Sequence, residues 1–198
     1  MEQYAMDMPE LSLPLTTERL QLRPFAEGDF ESYAAYHSLP ELYRYLYSAV
    51  PTRKALEEKF KGMLEAPFKN DGDVFRLAVV TREDETLAGQ VTLKLASKAA
   101  RQGEVGYIFN PAFAGKGYAT EAVAKIINVG FSAFRFHRIF ARLDAANKGS
   151  IGVVERLRLR REAHLRQNDQ FDGVWGDEYI YAVLASEWRE PTDQTAEP

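Results

Sequence analysis

The residues best suited to chemistry lie between Glu104 and Ala122, in the run Glu-Val-Gly-Tyr-Ile-Phe-Asn-Pro-Ala-Phe-Ala-Gly-Lys-Gly-Tyr-Ala-Thr-Glu-Ala. It reads as a short strand, a proline break, and a loop that opens directly into a helix near Tyr118. Gly115 and Gly117 leave the loop backbone unobstructed by Cβ atoms. The first amides of the helix have no partner inside it. With the positive end of the helix dipole they form an anion site suited to phosphates, and the segment can hold a pyrophosphate.

Two phosphate motifs fail here. A P-loop needs Gly-Lys followed by Ser or Thr, but Gly117 follows Lys116. The dinucleotide fingerprint needs a third glycine where Thr120 stands. The run instead resembles the signature of the GNAT acetyltransferase superfamily, Gln/Arg-x-x-Gly-x-Gly/Ala, carried by Ala114, Gly115, Lys116, Gly117, Tyr118 and Ala119. Ala114 departs from the usual Gln or Arg, a residue the family uses largely through its backbone. The context Gly-Lys-Gly-Tyr-Ala-Thr-Glu-Ala is similar to the branch containing the ribosomal-protein N-terminal acetyltransferases. So is the opening Thr17-Glu18-Arg19-Leu20-Gln21-Leu22-Arg23-Pro24. The resemblance covers roughly residues 16–188.

It implies acetyl-coenzyme A as co-substrate, with the pyrophosphate on the loop amides from Ala114 to Thr120. The backbone of Ile108 and Phe109 would face the pantetheine arm, where an N–H would polarise the thioester carbonyl. Asn147 and Ser150 match the branch's Asn-x-x-Ser: the amide would reach the pantetheine, and the hydroxyl could protonate the departing thiolate. Val154 stands where many superfamily members place a tyrosine for that step. Asn147 to Ser150 equally reads as a helix cap. Glu104 is the candidate base, acting directly or through water. An alkyl amine is mostly protonated at neutral pH, and a positioned base is worth about 10²–10⁴-fold. Glu104 also reads as a plain strand carboxylate. Glu121, in the first helical turn, suits the dipole and a local cap.

These groups need elements to position them. Leu20 and Leu22 alternate with Arg19, Gln21 and Arg23 in a half-buried strand stopped by Pro24. Asp29 is placed to cap a helix carrying Phe30, Tyr33, Ala34 and His37, and Pro40 separates it from a second, Glu41 to Tyr47. Tyr33, Tyr36 and Tyr43 fall where the resembled family lines its acceptor cleft; each also fits ordinary packing at helical spacing. Thr52 caps a third helix reaching about Ala66. Strands follow at 75–79, 89–95 and 104–109. The helix after the loop carries Ala122, Val123, Ile126, Ile127, Phe131 and Phe134 at three- and four-residue spacing over about 17 residues. A strand at 137–145, a helix through Val153, Val154 and Leu157, and strands at 160–166 and 178–184 close the chain. Arg158 stands where the resembled family has a glycine that would end that last helix left-handed.

The order β-α-α-α-β-β-β-α-β-α-β-β matches an α/β (α+β) fold. The resemblance implies a GNAT-like, mixed, mostly antiparallel seven-stranded sheet with splayed central parallel strands and flanking helices. The chain divides into an N-terminal arm (1–15), one acetyltransferase domain (16–188) and a polar tail (189–198) expected to be disordered.

With 198 residues, 45% hydrophobic and 27% charged, the composition fits one soluble domain. A net charge of −4 and a pI near 5.5 supply no field for nucleic acid. Cysteine is absent, which removes disulfides, thiolate metal sites and a cysteine nucleophile. His37, His137 and His164 are too dispersed for a metal site. No apolar run reaches the roughly 18 residues of a membrane span, and Glu2 and Asp7 do not suit a signal peptide. A cytoplasmic N-acetyltransferase is expected, monomer or homodimer, acting on a protein or peptide N-terminal amine. The alternatives are a small-molecule amine acetyltransferase (antibiotic, polyamine or amino acid) and a non-catalytic acyl-coenzyme A-binding module.

Overall fold

The computed structural model describes residues 11–190; residues 1–10 of the expected arm (1–15) and residues 191–198 of the expected tail (189–198) lie outside them. Alternating leucines make the first full strand, β2 (Leu20–Arg23), with Leu20 and Leu22 buried on one face and Gln21 and Arg23 half-buried on the other. A two-residue strand, β1 (Leu15–Thr16), pairs Leu15 with Leu22 and raises the count to eight. It is too short to show a period, and the sequence reading leaves Leu15 in the arm.

Helix α1 (Phe30–His37) follows a 3₁₀ turn over Glu27–Asp29. Asp29 does not cap α1: its carboxylate accepts from Ala26 N at 2.8 Å and from the Arg23 guanidinium at 2.7 and 2.8 Å. The second helix, α2 (Pro40–Tyr43), is shorter than its pattern suggests. Helix α3 (Arg53–Leu64) begins as expected, with Thr52 Oγ1 accepting from Ala55 N.

Strands β3 (Val74–Thr81), β4 (Leu87–Ser97) and β5 (Gln102–Phe109) form an antiparallel meander. Helix α4 (Tyr118–Ser132) then crosses to β6 (Arg138–Asp144), which runs parallel to β5. Helix α5 (Lys148–Arg156) and the long hairpin β7 (Arg160–Phe171) and β8 (Val174–Leu184) complete one sheet in the order β1-β2-β3-β4-β5-β6-β8-β7. Among the described residues β5–β6 is its one parallel pair. The hairpin runs further than expected because register shifts at Arg161/Ala163 and Leu165/Asp169 erase the period of two that marks a strand.

Two layers flank the sheet. Helix α4 buries Ile126 and Ile127 with Val91, Leu93 and Ile139 in the larger core; full burial of each such side chain contributes roughly 1.5–3 kcal/mol. On the other face, α1 and α3 pack Tyr33, Leu56 and Phe60 against Ala78 and Val80. Helix α5 ends in a left-handed residue: Arg158 has φ 60°, Leu159 N donates to Val154 O at 3.0 Å, and Arg158 N donates to Glu155 O at 2.9 Å. That pair of bonds is a Schellman closure built without the usual glycine.

The feature that positions the site is the short parallel pairing. It has three rungs, Gln102–Arg138, Gly103–Ile139 and Glu104–Phe140, and then stops. Beyond Glu104 the two strands diverge, leaving one edge of Val105–Phe109 unpaired.

Candidate active site

A cleft of about 960 Å³ occupies this divergence. Its walls are β5 from Tyr107 to Phe109, the loop and first turn of α4, the start of α5, and residues of α2 and its following linker, including Leu42, Arg44 and Tyr45. The loop bends through left-handed conformations at Gly115 (φ 77°) and Gly117 (φ 79°). A Cβ on Gly117 would come within 3.3 Å of the Arg19 guanidinium. The first helical bond is Glu121 N to Gly117 O, so the amides of Tyr118, Ala119 and Thr120 precede the intrahelical ladder and face outward. Ala114, Gly115, Gly117, Tyr118, Ala119 and Thr120 all line the cleft. Lys116 does not: its ammonium lies over the Phe113 ring at 5.1 Å.

The loop is held from behind by the first strand segment. Glu121 accepts from Thr17 Oγ1 at 2.5 Å, Arg19 N at 2.9 Å and Arg19 Nε at 2.8 Å, and Arg19 Nη1 donates to Lys116 O at 2.8 Å. The Arg19 guanidinium also lies over the Tyr118 ring at 5.1 Å. Glu121 is therefore committed to the loop's shape and is not free to serve as a base. Arg19 is a site residue that sequence reasoning missed. Arg156 is another: it lines the cleft, its Nε donates to Thr120 Oγ1 at 3.2 Å, and with Lys148 it adds positive charge near the α4 amides.

The ladder phase decides which β5 groups face the opening. Asn110 N donates to Ala88 O, so alternation turns the backbone of Ile108 toward β4 and that of Tyr107 and Phe109 toward the cleft. The backbone of Phe109 thus lies on the open edge. The open amide on its other side belongs to Tyr107, while Ile108 contributes only its side chain. The Tyr107 hydroxyl, its pKa pushed up by burial, donates to Ser150 O at 2.8 Å and ties β5 to α5.

Asn147 caps α5, its Oδ1 accepting from Ser150 N at 3.0 Å. Both residues line the cleft, and the Ser150 hydroxyl has no hydrogen bond among the described residues. Glu104 sits on the last paired rung, at the vertex of the splay, with Lys94 Nζ 3.5 Å from its carboxylate. It stands beside the cleft rather than among its lining residues. Tyr33 and Tyr36 are not brought to the cleft: they are 0% and 1% exposed, packed with His37, and neither hydroxyl has a partner among the described residues. Burial pushes the Tyr33 hydroxyl up to about 12. Tyr43 is half-buried, its hydroxyl 3.3 Å from His37 Nδ1. These rings serve the α1–α3 core. Among the described residues no group of side chains could hold a metal ion.

The strand–loop–helix with free amides inside a splayed parallel pair is the arrangement that the resemblance to the GNAT acetyltransferases implies. The model of the acetyltransferase (GNAT) domain matches residues 19–160, and the chain belongs to that family. Among its relatives is the uncharacterised N-acetyltransferase YnaD of Bacillus subtilis, 32% identical over 175 residues, covering 88% of this chain and 98% of the relative. A GNAT-family acetyltransferase from Bacillus anthracis superposes with a TM-score of 0.79 at 27% identity, covering 88% of this chain and 100% of that one. Two structures share the fold at lower identity. Spermidine N-acetyltransferase from Vibrio cholerae, in complex with CoA and spermine, has a TM-score of 0.74 at 21% identity, covering 86% of this chain and 98% of that one. Ribosomal-protein-S5-alanine acetyltransferase from Vibrio fischeri has a TM-score of 0.74 at 20%, covering 90% and 100%.

Proposed function

We propose that this GNAT enzyme transfers an acetyl group from acetyl-coenzyme A to the α-amine of a peptide or protein N-terminus, by direct attack without a covalent enzyme intermediate. The observation that carries the acceptor reading is the shape of the site. The cleft adjoins a second one of about 680 Å³, the two sharing Arg44, Tyr45 and Ala146 as walls. The enclosed pocket at Tyr33 and Tyr36 that a small amine would call for is filled with side chains. The Vibrio fischeri neighbour, named for a ribosomal-protein alanine, agrees with this reading, whereas the Vibrio cholerae neighbour is named for a polyamine.

The residues present fit the co-substrate. The left-handed turn at Gly115 and Gly117, the outward amides of Tyr118, Ala119 and Thr120, and the charges of Lys148 and Arg156 suit a diphosphate. The open backbone edge at Tyr107 and Phe109 suits an amide-bearing arm, with the Asn147 amide on the facing wall. Acetyl-coenzyme A supplies an activated acyl carbonyl and a thiolate leaving group. Glu104 takes the ammonium proton, directly or through water, so that the neutral amine lone pair can attack. The Ser150 hydroxyl provides a proton on the leaving-group side.

Thiol release measured against peptides with free and blocked N-termini, polyamines, amino acids and aminoglycosides tests the acceptor. Turnover confined to peptides with a free N-terminus is expected. Turnover on small amines alone would contradict it.

A further inference from the structure

The second cleft lies between the linker after α2 and the tip of the β7–β8 hairpin. Tyr45, Tyr47, Phe171 and Trp175 give it aromatic walls. At the hairpin tip Val174 is 69% exposed, Trp175 56% and Phe171 40%, an unusual amount of apolar surface left to solvent in one place. Three carboxylates, Asp144, Asp172 and Asp177, stand among these rings, against a single cation, Arg44. Arg44 is already stacked on Tyr45 at 5.4 Å.

The cleft is a built feature. Tyr47, in a left-handed conformation (φ 47°), donates its hydroxyl to Asp144 and lies where a Cβ of residue 176 would stand, so Gly176 is what lets the ring seat. Asp177 accepts from Gln167 N at 2.9 Å and contacts His164 Nε2 at 2.6 Å; those contacts hold its carboxyl below the usual range. Asp172, on the exposed turn, makes no hydrogen bond or ion pair among the described residues and is free to meet a ligand. Aromatic faces attract a cation through the ring quadrupole, and carboxylates at their rim add charge complementarity.

We infer that the second cleft receives a lysine or arginine side chain of the acceptor, a few residues beyond the amine that is acetylated. This rests on the peptide reading of the proposed function, the second cleft being adjacent to the first and sharing Arg44, Tyr45 and Ala146 with it.

The test uses the full-length enzyme and short peptides that begin with alanine and carry one lysine, moved stepwise along the peptide, with norleucine counterparts. Trp175 reports binding directly by fluorescence, because the other tryptophan, Trp188, is buried against Phe131. At one position lysine is expected to bind at least about tenfold tighter than norleucine, about 1.4 kcal/mol. Asp172→Asn, a change tolerated at φ 50°, should shrink that preference by about half or more. Trp175→Leu should raise KM for the lysine peptide by more than for the norleucine peptide, while leaving the affinity for acetyl-coenzyme A unchanged. Equal affinity for lysine and norleucine at every position, or a lysine preference untouched by both substitutions, would overturn the inference. Lysine-selective binding without thiol release would support the cleft assignment and contradict the peptide-acetylation reading. Acetylation of both peptides with equal KM would do the reverse.

Discussion

At the scale of single residues, the loop depends on a contact between distant parts of the chain. Arg19 donates directly to Glu121 and to the Lys116 carbonyl, Thr17 also donates to Glu121, and this network fixes the conformation that presents the α4 amides. Arg19→Met should weaken acetyl-coenzyme A about tenfold with little loss of thermal stability, because the guanidinium is 45% exposed. Unchanged affinity in calorimetry would mean the loop holds its own shape. The splay vertex carries a separate expectation. Glu104→Gln should lower kcat by about 10²-fold or more and flatten the rise of rate with pH, while acetyl-coenzyme A binds normally. A wild-type pH–rate profile would move the base elsewhere. Residue-scale legibility in the sequence was uneven. Gly115, Gly117 and the Asn147–Ser150 pair stood out because their local spacing alone sets their geometry. Arg19 did not, since its partners are about a hundred positions away. Nor could spacing decide between Ile108 and Tyr107, because the phase of a ladder depends on where the partner strand begins.

Secondary-structure elements carry their own stresses. Arg158 closes α5 in a conformation that favours glycine. Arg158→Gly should therefore stabilise the protein by up to about 1 kcal/mol, raising Tm by about 2–4 °C; an unchanged or lower Tm would contradict the Schellman closure. Helix α1 holds a second stress. The His37 imidazole is pushed down to about 3, by burial first and then by the charges of Lys59 and Arg76. The unfolded chain takes up a proton near pH 6.5 that the folded one refuses. Stability from this group is thus complete above about pH 6.5 and is lost as pH falls toward 3. Urea midpoints at about pH 7 and pH 5 should differ less in His37→Gln than in the wild type; equal differences would remove His37 from the acid limb. Helix α4 was easily read, its apolar stripe being long and regular. The extent of β7–β8 was not, since its bulges and its two exposed faces break the alternation that signals a strand.

For the molecule as a whole, both cores share one sheet, and the cleft exists only because β5 and β6 part after three rungs. We propose that residues 16–188 fold as a unit. Trp188 fluorescence and far-UV circular dichroism should follow one urea transition, and two separated transitions would divide the domain. No helix among the described residues is long and apolar enough to cross a membrane. The order of elements was legible because each loop carries its own breaker, such as Pro24, Pro40 or Pro111. The second cleft was not, because it is assembled from the linker after α2, the end of β6 and the tip of the β7–β8 hairpin, which the sequence holds far apart. The account stands most directly on cofactor capture by the Gly115–Thr120 turn. Calorimetry with acetyl-coenzyme A on the wild type and on Gly117→Val is the decisive measurement. Saturable binding by the wild type and none by a folded Gly117→Val is predicted. Equal affinity in the two proteins, or no binding by the wild type, would contradict the assignment of the site.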